Sequence, residues 1–210
     1  RIAATDTDAW MAFGTGVLDL MDAAREDAAG ARFLRMDNHP FRFMIEPASN
    51  DGLIAAGLEC RGRSEWLALC ERLGSAGHTL HAGPAEEAAR RCVTEYVTVE
   101  DPCGNTLELY YGRRLDYAPL ISPTGVKQFI TGDEYTGDMG FGHAVLPTPD
   151  MDAAARFYTE LLGLGVSDTL YPPLPEGAPE TTILFLHADN PRQHSLALYN
   201  HPYTGGVVHI

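Results

Sequence analysis

The pattern of apolar and polar positions at the start of the chain predicts a strand followed by a helix. Residues 1–4 are mostly apolar, and Asp6 or Thr7 is placed to cap the helix that comes next. Apolar residues then recur at helical spacing, at Ala9, Phe13, Val17 and Leu20. Strand-like segments follow at 31–36 and 42–46. One strand, one helix and further strands are therefore predicted.

The same signature returns about 144 residues further along the chain, which is typical of an internal repeat. Residues 142–146 predict a strand, residues 148–152 a helix cap, and residues 153–164 a helix. That helix has an apolar face made by Phe157, Leu161 and Leu164. Two more strands are predicted at 182–186 and 195–199, so the second copy follows the plan of the first.

A finer repeat lies within the first half of the chain. Residues 58–60 predict a strand, and a helix is predicted from a cap at Ser64 to Leu73. Strands at 95–99 and 106–110 close the unit. Residues 101–105 predict the turn between them, with positive φ angles at its glycine and asparagine. The plan of a strand, a helix and three strands is thus used four times, with the fourth copy barely begun.

These units predict an α+β fold, in which tandem βαβββ units pair into two domains whose curved sheets enclose cavities. Residues 1–115 are predicted to form the first domain from two units, and residues 116–138 the connection. Residues 139–210 would hold the third unit and the start of the fourth. The sequence stops within a strand-like segment, so we expect the second domain to be truncated and residues to be missing at both ends.

Composition excludes several classes of partner. The chain has 29 acidic and 15 basic residues, a formal net charge of -14, which argues against nucleic acids and anionic membrane surfaces. No apolar run approaches the roughly 20 residues that span a bilayer. The four cysteines lie at irregular spacings, which predicts reduced thiols. A cytoplasmic, soluble enzyme or binding protein is expected.

The histidines are concentrated near the end of the chain, and three of them accompany apolar strands. His143 alternates with Val145, His194 with Leu196, and His209 with Val207, so each histidine shares a face with an apolar residue. Burying three imidazoles costs desolvation three times, and metal binding or catalysis would offset that cost. From this clustering alone, a metal site and hydrogen-bonded core histidines both remain open.

The first half offers no matching histidines. Aligning its strands with the second half places Ala55 or Ala56 opposite His209, and the counterpart of His143 at or before Arg1. This half is therefore expected to serve as a scaffold or an oligomer contact. Glu108 could be a ligand, but without histidine partners a surface or hydrogen-bonded glutamate is favoured. The other histidines are predicted to be structural, exposed or in loops: His39, His78, His81, His187 and His201.

Four segments together resemble a known family. They are Gly-Phe-Gly-His-Ala-Val at 140–145, Asn-Pro-Arg-Gln-His-Ser-Leu-Ala at 190–197, Val-Val-His-Ile at 207–210, and Asp-Pro-Cys-Gly-Asn with Leu-Glu at 101–108. Taken together, in the order in which they occur along the chain, they resemble the type I extradiol ring-cleaving dioxygenases of the vicinal oxygen chelate superfamily. The likeness is to the two-domain enzymes that act on biphenyl diols or steroid-derived catechols.

The resemblance implies a role for each histidine. His143 and His209 would be ligands of Fe(II), and His194 would be the acid–base residue beside the metal. The third ligand would be a glutamate beyond residue 210. The family often has a histidine where this chain has Gln193. The resemblance also implies a catecholic substrate, O2 as the second substrate, and a homo-oligomer.

Two alternatives share the fold and stay open. A non-catalytic protein that binds a hydrophobic small molecule would need no metal, and a measurement of bound iron would distinguish it. A glyoxalase-like metal-dependent isomerase would draw its ligands from several units. Histidines on apolar strand faces count against the binding protein, and the absence of matching histidines in the first half disfavours the isomerase. In the dioxygenase, two histidines and a carboxylate would leave open positions on Fe(II) for both substrates. A histidine that titrates near neutral pH suits the proton transfer that accompanies ring opening.

Overall fold

The structure is a computed structural model that describes residues 1–125, 129, 132–133, 137–173, 176–177, 179–200 and 207–210. The strands within these residues are β1 (Ile2–Ala4), β2 (Met21–Asp22), β3 (Arg32–Arg35), β4 (Phe43–Pro47), β5 (Gly52–Leu53), β6 (Ala56–Glu59), β7 (His81–Ala82), β8 (Glu95–Glu100), β9 (Thr106–Tyr111), β10 (Gly132–Asp133), β11 (Gly137–Asp138), β12 (Ala144–Pro147), β13 (Gly165–Leu170), β14 (Ile183–His187) and β15 (Leu196–Tyr199). The helices are α1 (Thr7–Gly16), α2 (Arg63–Ser75), α3 (Ala85–Arg90) and α4 (Met151–Arg156), and a π-helical segment (Phe157–Leu161) continues α4. None of the described helices has the length and apolar character that a membrane span requires.

Three sheets in the described part of the chain share one strand order. The orders are β2-β3-β4-β1-β5, β6-β9-β8-β7 and β12-β15-β14-β13. In each sheet the first strand of a unit lies beside its last strand, and a helix follows the first strand. The prediction of an α+β fold built from tandem βαβββ units is confirmed.

The first and third units match in detail. β1 pairs in parallel with β4, and β12 pairs in parallel with β15. Asp6 caps α1 by accepting a hydrogen bond from Ala9 N at 2.8 Å, and Asp150 caps α4 by accepting one from Ala153 N at 3.0 Å. Both caps satisfy backbone N–H groups that have no partner within the helix. The internal repeat therefore holds at the level of individual hydrogen bonds.

The chain divides into two compact bodies. One consists of Arg1–Trp66, Ala82–Thr98 and Glu108–Ile130, and the other of Leu67–His81, Val99–Leu107 and Thr131–Ile210. Each has a fully buried apolar core: the first includes Phe33, Leu34, Met44 and Ile45, and the second Leu146, Phe157, Leu186 and Leu198. The division at 116–138 stays a prediction, and residues 126–128, 130–131 and 134–136 of that connection lie outside the described residues.

The apolar spacing around α1 was misleading. The helix ends at Gly16, before Val17 and Leu20, and Phe13 is half exposed. The buried face carries Met11 and Gly14 instead. A Cβ atom on Gly14 would lie 2.5 Å from Leu34 Cδ1, so the absence of a side chain lets the helix lie close to β3. A small residue at the contact leaves no trace in a hydrophobic pattern.

Other local predictions need correction. The helix predicted from residue 153 begins at Met151 and turns π-helical at Phe157. Ser64 is not a cap, since α2 begins at Arg63. In the turn at 101–105 Gly104 has a positive φ of 84°, whereas Asn105 does not. His81 lies in β7 and not in a loop. Helix ends depend on single hydrogen bonds, which periodicity does not reveal.

Candidate metal centre

Three histidines meet at one end of the sheet that contains β12. His143 directly precedes β12, and His194 precedes β15, its parallel neighbour. His209 lies on the other side of β12 in an antiparallel bridge with Val145, which donates to His209 O at 2.9 Å. The ring centroids of His143 and His194 are 4.3 Å apart, and those of His143 and His209 are 5.2 Å apart. The sheet thus brings together side chains that are far apart in the sequence.

The geometry of His143 and His209 fits two neighbouring ligands of one metal ion. Their Nε2 atoms are 3.0 Å apart. Two imidazole nitrogens bound at about 2.1 Å to one ion, at roughly right angles, would lie about 3.0 Å apart. Imidazole nitrogen is a ligand type that suits iron. The donors present therefore fit the Fe(II) that the family resemblance implies.

The environment favours the neutral form of His143 and His194. Burial lowers the pKa of His143, and the charges of His194, His209 and Arg192 lower it further. Burial also lowers the pKa of His194, together with the charges of Arg192 and His209. A neutral imidazole is the form that can bind a metal ion or accept a proton. Both histidines are therefore in the reactive form at neutral pH.

The histidines lie at the ends of strands and not within them. His143 and His194 are partly buried, and His209 is exposed. Val145 and Leu196 are buried, as their alternation with the histidines predicts. The apolar pattern thus belongs to the strands that each histidine precedes or flanks, and the desolvation cost falls on His143 and His194 more than on His209.

The ring of His194 is held with one nitrogen available. It packs against Phe185, with 4.8 Å between the ring centroids. Its Nδ1 is hydrogen-bonded to the side-chain oxygen of Gln193. Its Nε2 is buried and has no hydrogen-bond partner within the described part of the chain. A buried polar atom without a partner calls for a ligand or a water molecule, and here it lies beside the candidate metal ligand His143.

Arg192 ties together the segments that carry His143 and His194. Its Nε donates to Met139 O at 2.6 Å, and its Nη2 lies 3.4 Å from Gly140 O. The side chain of Asn190 accepts a hydrogen bond from Arg192 N at 3.0 Å and so shapes the turn before His194. The role of Arg192 is not apparent from the sequence, since its partners lie more than fifty positions earlier.

The third metal ligand is not among the described residues. Within the described residues, no three His, Cys, Asp or Glu side chains are arranged so that they could hold a metal ion together. The glutamate expected beyond residue 210 stays a prediction. Glu108, the alternative carboxylate, is buried and accepts hydrogen bonds from Arg91 at 2.9 Å and from Arg1 at 2.7 Å. Burial alone would raise the pKa of Glu108, but Arg91 and Arg1 outweigh it and lower the pKa. The hydrogen-bonded role favoured for Glu108 is confirmed.

The first βαβββ unit has the same backbone hydrogen bonds as the candidate site but different side chains. Ile54 N donates to Arg1 O, as Val208 N does to Val145 O. The nitrogen of Arg1 donates to Ala55 O, as Val145 N does to His209 O. Ala55 therefore occupies the place of His209, and its predicted alignment is confirmed.

The place of His194 in the first unit is occupied by Phe41. Ile45 lies opposite Ile2 and Leu198 lies opposite Leu146, so four residues earlier Phe41 corresponds to His194. The ring centroids of Phe41 and Phe33 are 4.9 Å apart, close to the 4.8 Å between His194 and Phe185. The first unit keeps the aromatic pair and lacks both histidines.

Three of the remaining histidines have neighbouring side chains that suit a structural role. His187 Nδ1 is 2.7 Å from Ser167 Oγ, and the ring of His78 packs against Phe157. His39 lies in a loop, as predicted, but it is buried, with its Nδ1 3.1 Å from Asp37. His201 lies outside the described residues.

Two protein families match parts of the chain. Residues 1–48 match "Dihydroxybiphenyl dioxygenase BphC D1", and residues 140–208 match the "Glyoxalase/Bleomycin resistance protein/Dioxygenase superfamily". The second match contains both His143 and His194. The two matches fall in the first and third βαβββ units.

Curated relatives match along the whole chain. An iron-dependent extradiol dioxygenase of Rhodococcus jostii (strain RHA1) is 38% identical, with 100% of this chain and 69% of the relative covered. A biphenyl-2,3-diol 1,2-dioxygenase of Paraburkholderia xenovorans (strain LB400) is 33% identical, with 99% and 67% covered.

Solved structures agree with these matches. A catechol 2,3-dioxygenase has a TM-score of 0.84 and 29% identity, over 98% of this chain and 66% of its own. BphC, a halotolerant catechol dioxygenase, has a TM-score of 0.80 and 29% identity, over 94% of this chain and 62% of its own. The chain spans about two thirds of the length of its curated relatives and slightly less of these two structures.

Proposed function

Because the chain belongs to the extradiol dioxygenases of the glyoxalase/bleomycin resistance protein/dioxygenase superfamily, we propose that the protein cleaves a catechol ring beside its two hydroxyl groups, using Fe(II) and O2. Such a reaction belongs to the breakdown of aromatic compounds or steroids. The observation that carries the proposal is the 3.0 Å separation of the Nε2 atoms of His143 and His209, with His194 beside them.

In this proposal His143 and His209 hold Fe(II) as neighbouring ligands, and a glutamate beyond residue 210 completes the set. Bound Fe(II) supplies open positions at which a catechol and O2 come together, and it can pass electrons between them. An imidazole binds a metal ion in its neutral form, so two histidines and one carboxylate would leave the ion with net positive charge that favours binding of an ionised catechol.

His194 is the residue that moves the proton. With Nδ1 bonded to Gln193, the other ring nitrogen, Nε2, is the atom that can accept a proton from a catechol hydroxyl group. Its lowered pKa makes the unprotonated form available at neutral pH. Phe185 covers one side of the ring and limits the access of water.

The proposed substrate is a bicyclic or 3-substituted catechol. Relatives that are about one third identical are named for biphenyl-2,3-diol, for 3-methylcatechol in Pseudomonas putida, and for 1,2-dihydroxynaphthalene in Pseudomonas putida. All three molecules carry a substituent or a second ring next to the diol. This shared feature supports a pocket that accepts bulk beside one hydroxyl group.

A cytoplasmic location and a homo-oligomeric state are further parts of the proposal. All four cysteines are thiols without disulfides, which suits a reducing compartment. Phe13 and Val17 expose apolar side chains in the first βαβββ unit, which lacks the candidate ligands, and such a surface is available for self-association. Sedimentation velocity of the complete gene product would check the oligomeric state.

The experiment that tests the proposed reaction is oxygen uptake by the complete gene product. The protein is loaded with Fe(II) without air and then mixed with 3-methylcatechol or biphenyl-2,3-diol in aerated buffer. We expect rapid uptake and a yellow ring-opened product. His194→Ala should lower kcat about 100-fold to 10,000-fold while iron stays bound, because it removes the general base.

The matched control is His81→Ala, which removes an exposed histidine in β7 and should leave the rate unchanged. If the iron-loaded wild type consumed no oxygen with any of several catechols, the proposed reaction would be wrong.

A further inference from the structure

Gln193 makes the one side-chain hydrogen bond to His194 Nδ1 in the described part of the chain. The side-chain oxygen of Gln193 lies within hydrogen-bond distance of that nitrogen. An amide oxygen can only accept a hydrogen bond, so His194 Nδ1 must carry the proton. The opposite tautomer would place a proton on Nε2, which is buried with no acceptor among the described residues. The contact therefore favours one of the two neutral forms of the ring.

We propose that Gln193 is a positioning residue that holds His194 in the Nδ1–H tautomer and so keeps the lone pair of Nε2 directed to the substrate. The inference rests on the proposed function, because the catechol hydroxyl group is what gives Nε2 its proton. In the neutral ring one nitrogen donates and the other accepts, so fixing the first fixes the second. Without Gln193 the ring could present a donor where an acceptor is needed.

Gln193 is itself held in place by two neighbouring strands. Ser167 in β13 donates its hydroxyl proton to the backbone oxygen of Gln193. Because a serine hydroxyl has one proton, His187 in β14, whose Nδ1 lies 2.7 Å from Ser167 Oγ, must donate to that oxygen. Gly165 leaves room for this ring, since a Cβ atom there would lie 2.3 Å from His187 Nε2. The contacts with β13 and β14 thus position Gln193, and Gln193 in turn positions His194.

The first βαβββ unit provides an internal comparison. Phe41 corresponds to His194, and the residue before it is Pro40, whose side chain has no hydrogen-bonding atom. The aromatic pair of Phe33 and Phe41 has nearly the same spacing as that of Phe185 and His194. The side-chain acceptor is therefore present in the unit whose ring carries a nitrogen and absent from the unit whose ring does not.

The direct test is the tautomer of His194 in the metal-free complete protein, read from the nitrogen-15 shifts of labelled histidine at a pH where the ring is neutral. The His194 signal is identified by its loss in His194→Ala. Wild type should show the Nδ1–H form. Gln193→Met, which keeps the size of the side chain and removes the acceptor, should shift the population to the Nε2–H form. An unchanged Nδ1–H signal in Gln193→Met would overturn the inference.

Kinetics of the iron-loaded enzyme provide the second readout. Gln193→Met should lower kcat about 10-fold to 100-fold, the usual effect of losing a residue that orients a site histidine, with little change in KM. Gln193→Glu keeps an acceptor oxygen and should restore most of the wild-type rate and the wild-type tautomer. Failure of Gln193→Glu to restore either quantity would contradict a positioning role.

The two proposals can fail separately. The tautomer measurement needs neither iron nor turnover, so it judges the role of Gln193 even if no catechol is cleaved. An inactive iron-loaded wild type would contradict the proposed dioxygenase activity but not the role of Gln193 in setting the tautomer. Thermal unfolding of each variant confirms that the fold is retained before the other results are compared.

Discussion

At Ala55 and His209 the two halves of the chain make the same backbone hydrogen bonds with different side chains. Phe41 and His194 also correspond, and the residue after each donates a matching backbone hydrogen bond, Arg42 N to Leu34 O and Ser195 N to Leu186 O, both at 2.8 Å. An alanine and a phenylalanine in the first unit thus stand where the third unit has two histidines, on matching backbone positions. The difference between a scaffold and a candidate metal centre is therefore carried by very few residues.

Asp37 illustrates a residue whose charge stabilises the fold away from the site. It is nearly buried in the loop after β3, where Arg42 Nε donates to it at 2.8 Å and His39 Nδ1 lies at 3.1 Å. Burial alone would raise the pKa of Asp37, but the hydrogen bonds from His39 and Arg42 outweigh it and hold the pKa far below its usual range. The ionised carboxylate is thus favoured by folding.

The stability that Asp37 contributes should depend on pH. Because its pKa is lower in the folded state, the contribution is complete above the unfolded pKa of about 3.9 and is lost as the pH falls below it. Asp37→Asn should lower the free energy of unfolding by about 3 kcal/mol near pH 7, and by less near pH 3. Urea unfolding at several pH values measures this difference, with Glu71→Gln, an exposed change in α2, as the control. A difference independent of pH would contradict the argument.

At the residue scale, the three histidines of the candidate site could be predicted, but the residues that hold them in place could not. His143, His194 and His209 accompany short apolar strands, and that local pattern is visible in the sequence. The contacts of Arg192 with Met139 and of Ser167 with Gln193 join positions 53 and 26 residues apart. Such contacts depend on how strands pair, and no spacing within one segment indicates them.

At the scale of single elements, the sequence predicts which elements exist better than where they face. β3, β4, β8, β9, β14 and β15 lie where the strand patterns place them. α1 buries Met11 and Gly14 and leaves Phe13 half exposed, because close packing on Leu34 decides its orientation. β13 was not located by the pattern, since Ser167, Asp168 and Thr169 make it polar.

The packing of α1 can be tested with two glycines of the same helix. Gly14→Ala places a methyl group against the buried Leu34, and we expect it to lower the free energy of unfolding by about 1–3 kcal/mol, the usual cost of overpacking. Gly16→Ala meets nothing within 4 Å and should be neutral or stabilise the helix by up to about 1 kcal/mol. Urea unfolding of both variants checks the contrast. Equal stabilities would show that α1 does not depend on close contact at Gly14.

At the scale of the whole molecule, the repeat in the sequence predicted the repeat in the fold, because each βαβββ unit uses the same strand order. The hydrogen bonds between residues far apart in the sequence were not predicted. In the second compact body, Tyr158 donates to Asp101 at 2.9 Å, and Asn105 donates to both Asp101 and Pro147 O. Burial and the charge of Asp101 raise the pKa of Tyr158 well above its usual value, so it stays a donor. These bonds link the turn at 101–105 to β12 and to the π-helical segment.

The central claim is that His143 and His209 hold one iron ion, and an anaerobic Fe(II) titration of the complete gene product tests it most directly. Wild type and His81→Ala should each bind one Fe(II) per chain. His143→Ala and His209→Ala should each bind it at least about 100-fold more weakly, because each removes one nitrogen ligand. Undiminished, stoichiometric binding by both variants, with their folds intact, would contradict the account and place the metal elsewhere.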